Sequence, residues 1–280
     1  NNYPKFWQSI RKNTNKAKSF AKEIEKGVAK LREIYPELKP AKIYFTIGVF
    51  RTPGTTMDGK VLIGSELALS DENVDTSEFP KNFAGLLPYF KSNPIKDIIF
   101  LNVHEFVHTQ QKTAIGSELL TQTMREGIAE FVTVKALNMK SPTPAIEFGN
   151  ANRLKIKYSF TKEMFSTYYE HWLWNNFDNQ FKMRDLGYFV GYDIAEKYYD
   201  KSFDKNKAIK ELIDLDLQNN RSVEILVNKT KYFTNSIKKH RKCYEKNRPK
   251  IRRIVQFKNK SKKVRPDIKK ITIEFSQEMD

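Results

Sequence analysis

The sequence predicts an α+β protein, with a small N-terminal β-sheet, a mainly helical lobe and a short β-rich C-terminal segment. Two segments near the N-terminus, 42–50 and 61–66, are rich in β-branched and aromatic residues, as strands are. From residue 94 onwards, apolar residues recur every three to four positions, which is typical of amphipathic helices. Arg248-Pro249 ends the helical pattern, so we expect one domain over 1–249 and a β-rich segment over 250–280.

The individual elements follow from the same periodicities, taken in chain order. A long charged helix is predicted over 5–34, because apolar residues recur at three- to four-residue spacing with some gaps. The segment 61–66 follows a turn-rich loop and could form the edge of the sheet, where an extended peptide pairs. Further helices are predicted over 94–113, 119–131, 206–215 and 221–247, and strands over 251–257 and near the C-terminus.

Composition limits the class of protein. A chain of 280 residues can hold one sizeable catalytic domain, and 39% hydrophobic residues exclude wholesale disorder. No apolar segment is long enough to span a membrane, and a single cysteine, Cys243, excludes an internal disulfide. The chain begins at Asn1 without a methionine, which is compatible with a trimmed form. Nothing in the composition indicates an oligomeric state.

The most informative motif is the pentapeptide His104-Glu105-Phe106-Val107-His108, which contains two of the chain's four histidines. On a helix, positions i and i+4 lie on one face, so both imidazoles can reach a single metal ion. They belong to a stripe rotated away from the apolar face, formed by Leu101, His104, His108 and Gln111. Glu105 is placed to act on water as a general base. The alternative is a pair of core histidines hydrogen-bonded to their neighbours.

A third ligand is expected on the next predicted helix, because a catalytic zinc site takes three protein ligands and leaves one position open. Glu126 and Glu130 lie one turn apart on that helix, and seventeen residues separate His108 from Glu126. We predict Glu126 as the third ligand and Glu130 as the carboxylate that orients a ligand imidazole, His104. Gly127 removes a side chain where two helices approach closely. The alternative places both glutamates on the solvated surface.

This pattern resembles the gluzincin zinc metallopeptidases, the thermolysin and M1-aminopeptidase-like group, and within it the bacterial DUF2268-type predicted zinc-dependent proteases. The resemblance rests on HExxH followed by Arg125-Glu126-Gly127-Ile128-Ala129. It implies a thermolysin/M1-like metallopeptidase domain that uses Zn²⁺ to hydrolyse a peptide or protein substrate. Two departures are visible: the gap before Glu126 is one residue shorter than in M1 enzymes, and Glu130 stands where thermolysin-like members carry Asp.

The resemblance also suggests an oxyanion donor. M1-type enzymes carry Tyr-x-x-Gly about sixty residues after the third ligand, and Tyr188 with Gly191 matches that motif here. Tyr192, one turn further along, and His171 are the reserve donors; the alternative for all three is simple packing. No segment matches the aminopeptidase signature of the M1 enzymes, so the choice between endo- and exopeptidase stays open. Glu66 is a weak candidate for contacting a substrate's amino terminus.

Basic residues are concentrated near the C-terminus. The segment 238–265 contains fourteen Lys or Arg and one acid, Glu245, a net charge of +13. A solvated helix end and linker is the favoured interpretation, and nucleic-acid binding is disfavoured because few aromatic residues are interleaved with the charges. The segment from Pro266 to Met279 resembles the first strand of bacterial Ig-like domains, with Glu278 where Pro is usual. By analogy, this resemblance implies an exported or surface-associated bacterial protein.

Together these features predict a zinc-dependent peptidase in which His104, His108 and Glu126 hold the metal, Glu105 is the general base and Tyr188 stabilises the oxyanion. The alternative is a catalytically inactive protein that keeps the zinc fold. Such a protein would use the basic C-terminal region, or an aromatic cleft formed by Trp172, Trp174, Phe177 and Phe181, to bind a polymer or protein partner.

Overall fold

The computed structural model describes residues 2–83, 85–114, 116–175 and 179–277. About 53% of the residues are helical and a small sheet lies near the N-terminus, which confirms the general α+β class. The chain divides into two compact units, Asn1–Thr234 and Asn235–Asp280. The division lies upstream of the boundary predicted at residue 249, because the last helix belongs to the second unit. Glu278 and Met279 of the Ig-like resemblance, and Phe177, lie outside the described residues.

The α-helices of the described residues are α1 (Pro4–Thr14), α2 (Ala21–Ile34), α3 (Ser65–Ala68), α4 (Leu86–Lys91), α5 (Ile98–His108), α6 (Leu119–Leu137), α7 (Pro144–Glu163), α8 (Leu186–Lys201), α9 (Lys205–Ile213), α10 (Asn220–Thr230) and α11 (Ile237–Asn247). The strands are β1 (Lys42–Thr46), β2 (Gly54–Met57), β3 (Lys60–Gly64), β4 (Ile251–Ile254) and β5 (Ile273–Phe275). Within the described part of the chain, no helix is both long and apolar enough to cross a membrane.

The N-terminal sheet has the strand order β1-β3-β2, with β1 parallel and β2 antiparallel to β3. The expectation that 61–66 forms the sheet edge is therefore wrong, because β3 is central and β2 lies at an edge. Glu66 is fully buried, and its carboxylate accepts hydrogen bonds from the backbone N–H groups of Gly48 and Phe50. Those bonds hold the chain after β1 in a tight loop, with Val49 and Phe50 in the left-handed region, so β1 ends at Thr46 rather than residue 50.

Two predicted long helices are each interrupted. The pattern over 5–34 divides into α1 and α2 around residues 15–20, next to the buried Asn13, whose side-chain amide donates to Asp71 at 2.8 Å. The pattern over 221–247 divides into α10 and α11, with Lys231 ending α10 in the left-handed conformation. The helices predicted over 94–113 and 119–131 are confirmed as elements, although residues 94–97 form a 3₁₀ turn before α5, and α6 continues to Leu137.

Helices α6 and α8 cross at a pair of glycines. A Cβ atom on Gly127 would lie 2.2 Å from the backbone at Gly191 and Tyr192, and one on Gly191 would lie 2.0 Å from the carbonyl oxygen of Thr123. Real Cβ atoms do not approach so closely, so only two glycines allow this crossing. Around it the core is apolar, with Met124, Ile128, Phe131 and Ile194 fully buried. The crossing brings the first turns of α8 against the middle of α6.

Candidate metal centre

Three side chains converge between α5 and α6. His104 and His108 project from α5 one turn apart, and Glu126 projects from α6; all three are buried. Their ligand atoms lie within 4.8 Å of one another. His108 Nε2 is 3.1 Å from His104 Nε2 and 3.2 Å from Glu126 Oε2, while His104 Nε2 is 3.7 Å from the same oxygen. We refer to these residues as the triad.

The tautomer of the His108 ring follows from its hydrogen bonds. The side-chain amide of Gln111 donates to the carbonyl oxygen of Arg125 at 3.0 Å, which places its NH₂ group there and its oxygen toward His108. That oxygen lies 2.7 Å from His108 Nδ1. Because an amide oxygen only accepts, Nδ1 must carry the proton. In the neutral ring, Nε2 therefore presents a lone pair to the centre of the triad.

His104 is oriented by a carboxylate. Its Nδ1 lies 3.0 Å from Glu130 Oε2, at ion-pair distance although too bent for a full hydrogen bond. The other oxygen of Glu130 accepts a hydrogen bond from Ser141, whose hydroxyl oxygen in turn accepts from the N–H of Thr143 at 3.0 Å. Glu130 is thus held in place by Ser141, with its carboxylate beside Nδ1 of His104 while Nε2 of that ring faces the triad. Glu130 therefore lies beside the imidazole that the sequence assigned to it, and its role there stays a prediction.

The triad fits a metal ion for a simple geometric reason. With ligand distances of about 2.0–2.1 Å, two corners of a tetrahedral site are about 3.3 Å apart. The three separations within the triad are 3.1, 3.2 and 3.7 Å. All the converging atoms are acceptors when the imidazoles are neutral, so their burial together requires a metal ion or bound protons. A buried His104-His108-Glu126 group could therefore hold a metal ion.

Arg125 pairs with the Glu126 oxygen that does not face the histidines. Its guanidinium forms an ion pair with Glu126 Oε1 and leaves Oε2 to face the histidines. Burial opposes ionisation of Glu126, but His108, His104 and Arg125 outweigh burial and hold the pKa of its carboxyl well below the usual value. Burial likewise lowers the pKa of His104, but Glu126 and Glu130 prevail and raise it to about 10. Protons and metal ions therefore compete for this centre.

Glu105 lies beside the triad and faces the sheet. A Cβ atom on Gly54, the first residue of β2, would lie 2.7 Å from Glu105 Oε1, so the glycine leaves space for the carboxylate. Burial raises the pKa of Glu105, while the nearby imidazoles of His108 and His104 lower it. A carboxylate whose proton affinity is raised by burial is suited to accept a proton from water and return it.

Tyr188 is brought to the triad by the crossing of α6 and α8. Its ring stacks on His104 at 6.0 Å between centroids, with 22° between the planes. Burial raises the pKa of Tyr188 well above its usual value, and the negative charges of Glu126 and Asp185 act in the same direction. The phenol therefore stays protonated as a donor at neutral pH. The start of α8 is anchored by Asp185, whose carboxylate accepts from the N–H of Trp174 at 2.6 Å.

The two reserve donors have other contacts. Tyr192 packs edge-on against Phe131, and burial together with Glu196 raises its pKa. His171 lies with its Nδ1 2.7 Å from Glu163 Oε2 and is half-exposed. His171, Trp172 and Phe181 line a separate cavity of about 330 Å³. Trp174, which the sequence grouped with these aromatic residues, is not part of that lining, and its side chain is half-exposed. Among the described residues, neither Tyr192 nor His171 forms part of the triad.

Four residues that sequence reasoning assigned no role contribute to the centre. Gln111 and Ser141 position His108 and Glu130, Arg125 pairs with Glu126, and Gly54 makes room for Glu105. Gln111 could have been found, since it lies three residues after His108 on the ligand-bearing stripe. Arg125 adjoins a ligand in sequence. Ser141 and Gly54 carried no local signal, because Ser141 lies in the connection between α6 and α7 and Gly54 lies on β2, far from Glu105 in the chain.

Comparison of this chain with family models, with curated proteins and with solved structures finds no match.

Proposed function

We propose that this protein is a zinc-dependent peptidase of the gluzincin type, which hydrolyses bonds in a peptide or protein substrate. The observation that carries the proposal is the triad itself: two Nε2 atoms and one carboxylate oxygen converge at tetrahedral spacing. Two histidines and one glutamate are a ligand set of catalytic zinc sites, whereas structural zinc sites favour cysteine and use all four positions. Glu105 and Tyr188 supply the remaining chemistry beside it.

His104, His108 and Glu126 would hold the metal, with Glu130 and Gln111 orienting the two imidazoles through their Nδ1 atoms. A zinc ion bound there supplies a Lewis acid that polarises a carbonyl and lowers the pKa of water. The Glu105 carboxylate takes the proton of the attacking water and passes it to the departing amine nitrogen. The Tyr188 phenol donates a hydrogen bond to the carbonyl oxygen as negative charge develops there.

The test is the Glu105→Gln variant, assayed for zinc content and for hydrolysis of a casein-derived fluorogenic peptide mixture. Glu105 is not a ligand in this proposal, so we expect zinc to be retained while turnover falls by about 10²–10⁴-fold. Glu147→Gln is the control, because Glu147 is an exposed acid on α7. We expect it to keep both zinc and activity.

Two results would overturn the proposal. Full hydrolysis by Glu105→Gln would remove the general base from the mechanism. A wild-type protein that binds zinc but hydrolyses no member of the mixture would favour the alternative of an inactive zinc-fold binding protein. A parallel assay with amino-terminally blocked peptides then distinguishes endopeptidase from aminopeptidase activity, since an aminopeptidase requires the free amine.

A further inference from the structure

The second unit, Asn235–Asp280, has an unusual pairing of its charges. Over residues 235–277 each acid lies beside an arginine: Glu245 is 3.5 Å from Arg248, Asp267 is 2.6 Å from Arg265, and Glu274 is 2.7 Å from Arg253. The lysines within residues 235–277 are all exposed, and none of them forms an ion pair with an acid of the described chain. The three acids are therefore paired with arginines, and the exposed lysines contribute most of the excess positive charge of this unit.

Four of these lysines share one face of α11. At 3.6 residues per turn, Lys238, Lys239, Lys242 and Lys246 project within an arc of about 100°. The opposite side of the helix carries Ile237, which is buried, and Tyr244, one of its part-buried residues. Lys238, Lys242 and Lys246 are spaced i, i+4, i+8, so their charges repel one another along the helix. An anionic surface applied to this face would relieve that repulsion.

Exposed aliphatic side chains lie in the same unit. Ile251, Val255, Val264, Ile271 and Ile273 are each 43–56% exposed. The aromatic residues that could stack on nucleic-acid bases are few, and Phe257 and Phe275 are part-buried. Lysines are compact point charges, and two of the arginines that could bind a phosphate bidentately, Arg253 and Arg265, are already paired with acids. Lysines together with exposed aliphatic groups match the surface of an anionic bilayer better than a nucleic acid.

We propose that the unit Asn235–Asp280 binds the surface of an anionic lipid bilayer through the lysine face of α11. The lysines contact the headgroup phosphates, and the exposed fractions of the aliphatic side chains of the unit are compatible with apolar contacts at the headgroup boundary. Binding is electrostatic and therefore weakens as salt rises. This function does not depend on the peptidase proposal, because it uses none of the triad residues.

The experiment is vesicle co-sedimentation of the full chain, using phosphatidylcholine vesicles with and without phosphatidylglycerol. We expect binding only to the anionic vesicles at about 0.15 M salt, and its loss at about 1 M salt, where the Debye length is about 3 Å. The triple variant Lys238→Glu/Lys242→Glu/Lys246→Glu should bind at least about 100-fold more weakly. The triple glutamine variant, which keeps helix propensity, should show a smaller loss in the same direction.

The chain contains a matched control on α2. Lys22, Lys26 and Lys30 have the same i, i+4, i+8 spacing and are exposed, but glutamates lie among them and Glu23 pairs with Lys26 at 2.7 Å. Replacing these three by Glu changes the net charge by the same amount and should leave vesicle binding within about twofold of wild type. Equal losses in both triple variants would overturn the proposal, as would equal binding to neutral vesicles. Tighter binding to duplex RNA or DNA than to vesicles at the same salt would overturn it too.

Discussion

Glu126 and Glu274 are two glutamates with similar partners and different roles. Each has a pKa below the usual value, and each lies beside an arginine. Glu126 is only 3% exposed and has two imidazoles against its second oxygen. Glu274 lies on the second unit with 40% of its side chain exposed, and both of its oxygens are taken by Arg253 at 2.7 and 2.8 Å.

Burial, rather than the presence of a nearby cation, distinguishes the buried triad from the surface ion pair. In the triad, Glu126 is buried and its Oε2 faces the two imidazole nitrogens, so this oxygen must share a proton or a metal ion with them. At Glu274, water can replace Arg253 at little cost.

The largest effect is expected from removing each carboxylate. Glu126→Ala deletes one of three ligands, so the zinc content should fall from about one ion per chain to below detection. Glu274→Ala should leave it unchanged. Zinc content by mass spectrometry after dialysis is the measurement. Full zinc retention in Glu126→Ala would place the third ligand elsewhere, with Glu130 the next carboxylate to replace.

The second effect concerns the helix crossing that creates the buried environment. Gly191→Ala puts a Cβ atom 2.0 Å from the Thr123 carbonyl oxygen, so α6 and α8 must separate. We expect the free energy of unfolding to fall by at least about 1–3 kcal/mol. Gly85→Ala is the control, because its backbone is helical and nothing lies within 4 Å of the new Cβ; its effect should stay within about 1 kcal/mol. The measurement is the free energy of unfolding of the two variants in denaturant. Equal values for Gly191→Ala and Gly85→Ala would contradict the tight crossing.

The third effect tests the orientation of His108. Gln111→Ala removes the acceptor of the Nδ1 proton, so zinc affinity in a chelator competition should fall by about 10–100-fold. Gln110→Ala is the neighbouring control. The Gln110 side chain accepts from the backbone N–H of Lys39 at 2.8 Å and has no contact with the triad. A similar zinc affinity in both variants would show that the ring is held by other contacts.

The smallest effect is expected at the exposed pair. In Arg253→Ala, the pKa of Glu274 should rise toward its ordinary value of 4.5, because Arg253 is what lowers it. A depressed carboxyl pKa stabilises the fold above the unfolded pKa, and that contribution is lost as pH falls through the folded pKa. We therefore expect any difference in unfolding temperature between the variant and wild type to be small, since the pair is exposed, to be present at pH 7 and to vanish at pH 2. The pKa by side-chain carbon NMR is the measurement, and an unchanged value would contradict the pairing.

Local pattern was sufficient for part of the centre. The i, i+4 spacing of His104 with His108, and of Glu126 with Glu130, predicted which side chains share a helix face, and the structure places them so. Glu66 was only a weak candidate for contacting a substrate, and nothing local indicates what the structure shows, that its carboxylate is buried and bonded to the loop after β1. The gluzincin resemblance, the zinc and the role of Glu105 stay predictions for the experiments above.

The sequence by itself determined the helical periodicity, the two ligand-bearing faces and the concentration of lysines near the C-terminus, because these depend on neighbours within a turn or two. Only the tertiary structure decided that β2 rather than β3 lies at the sheet edge, that Gln111 orients His108, and that Ser141 supports Glu130. It also decided that Gly127 meets Gly191, so that the Tyr188 ring stacks on His104. Such contacts join residues far apart in the chain, and close packing across helices selects them rather than backbone periodicity.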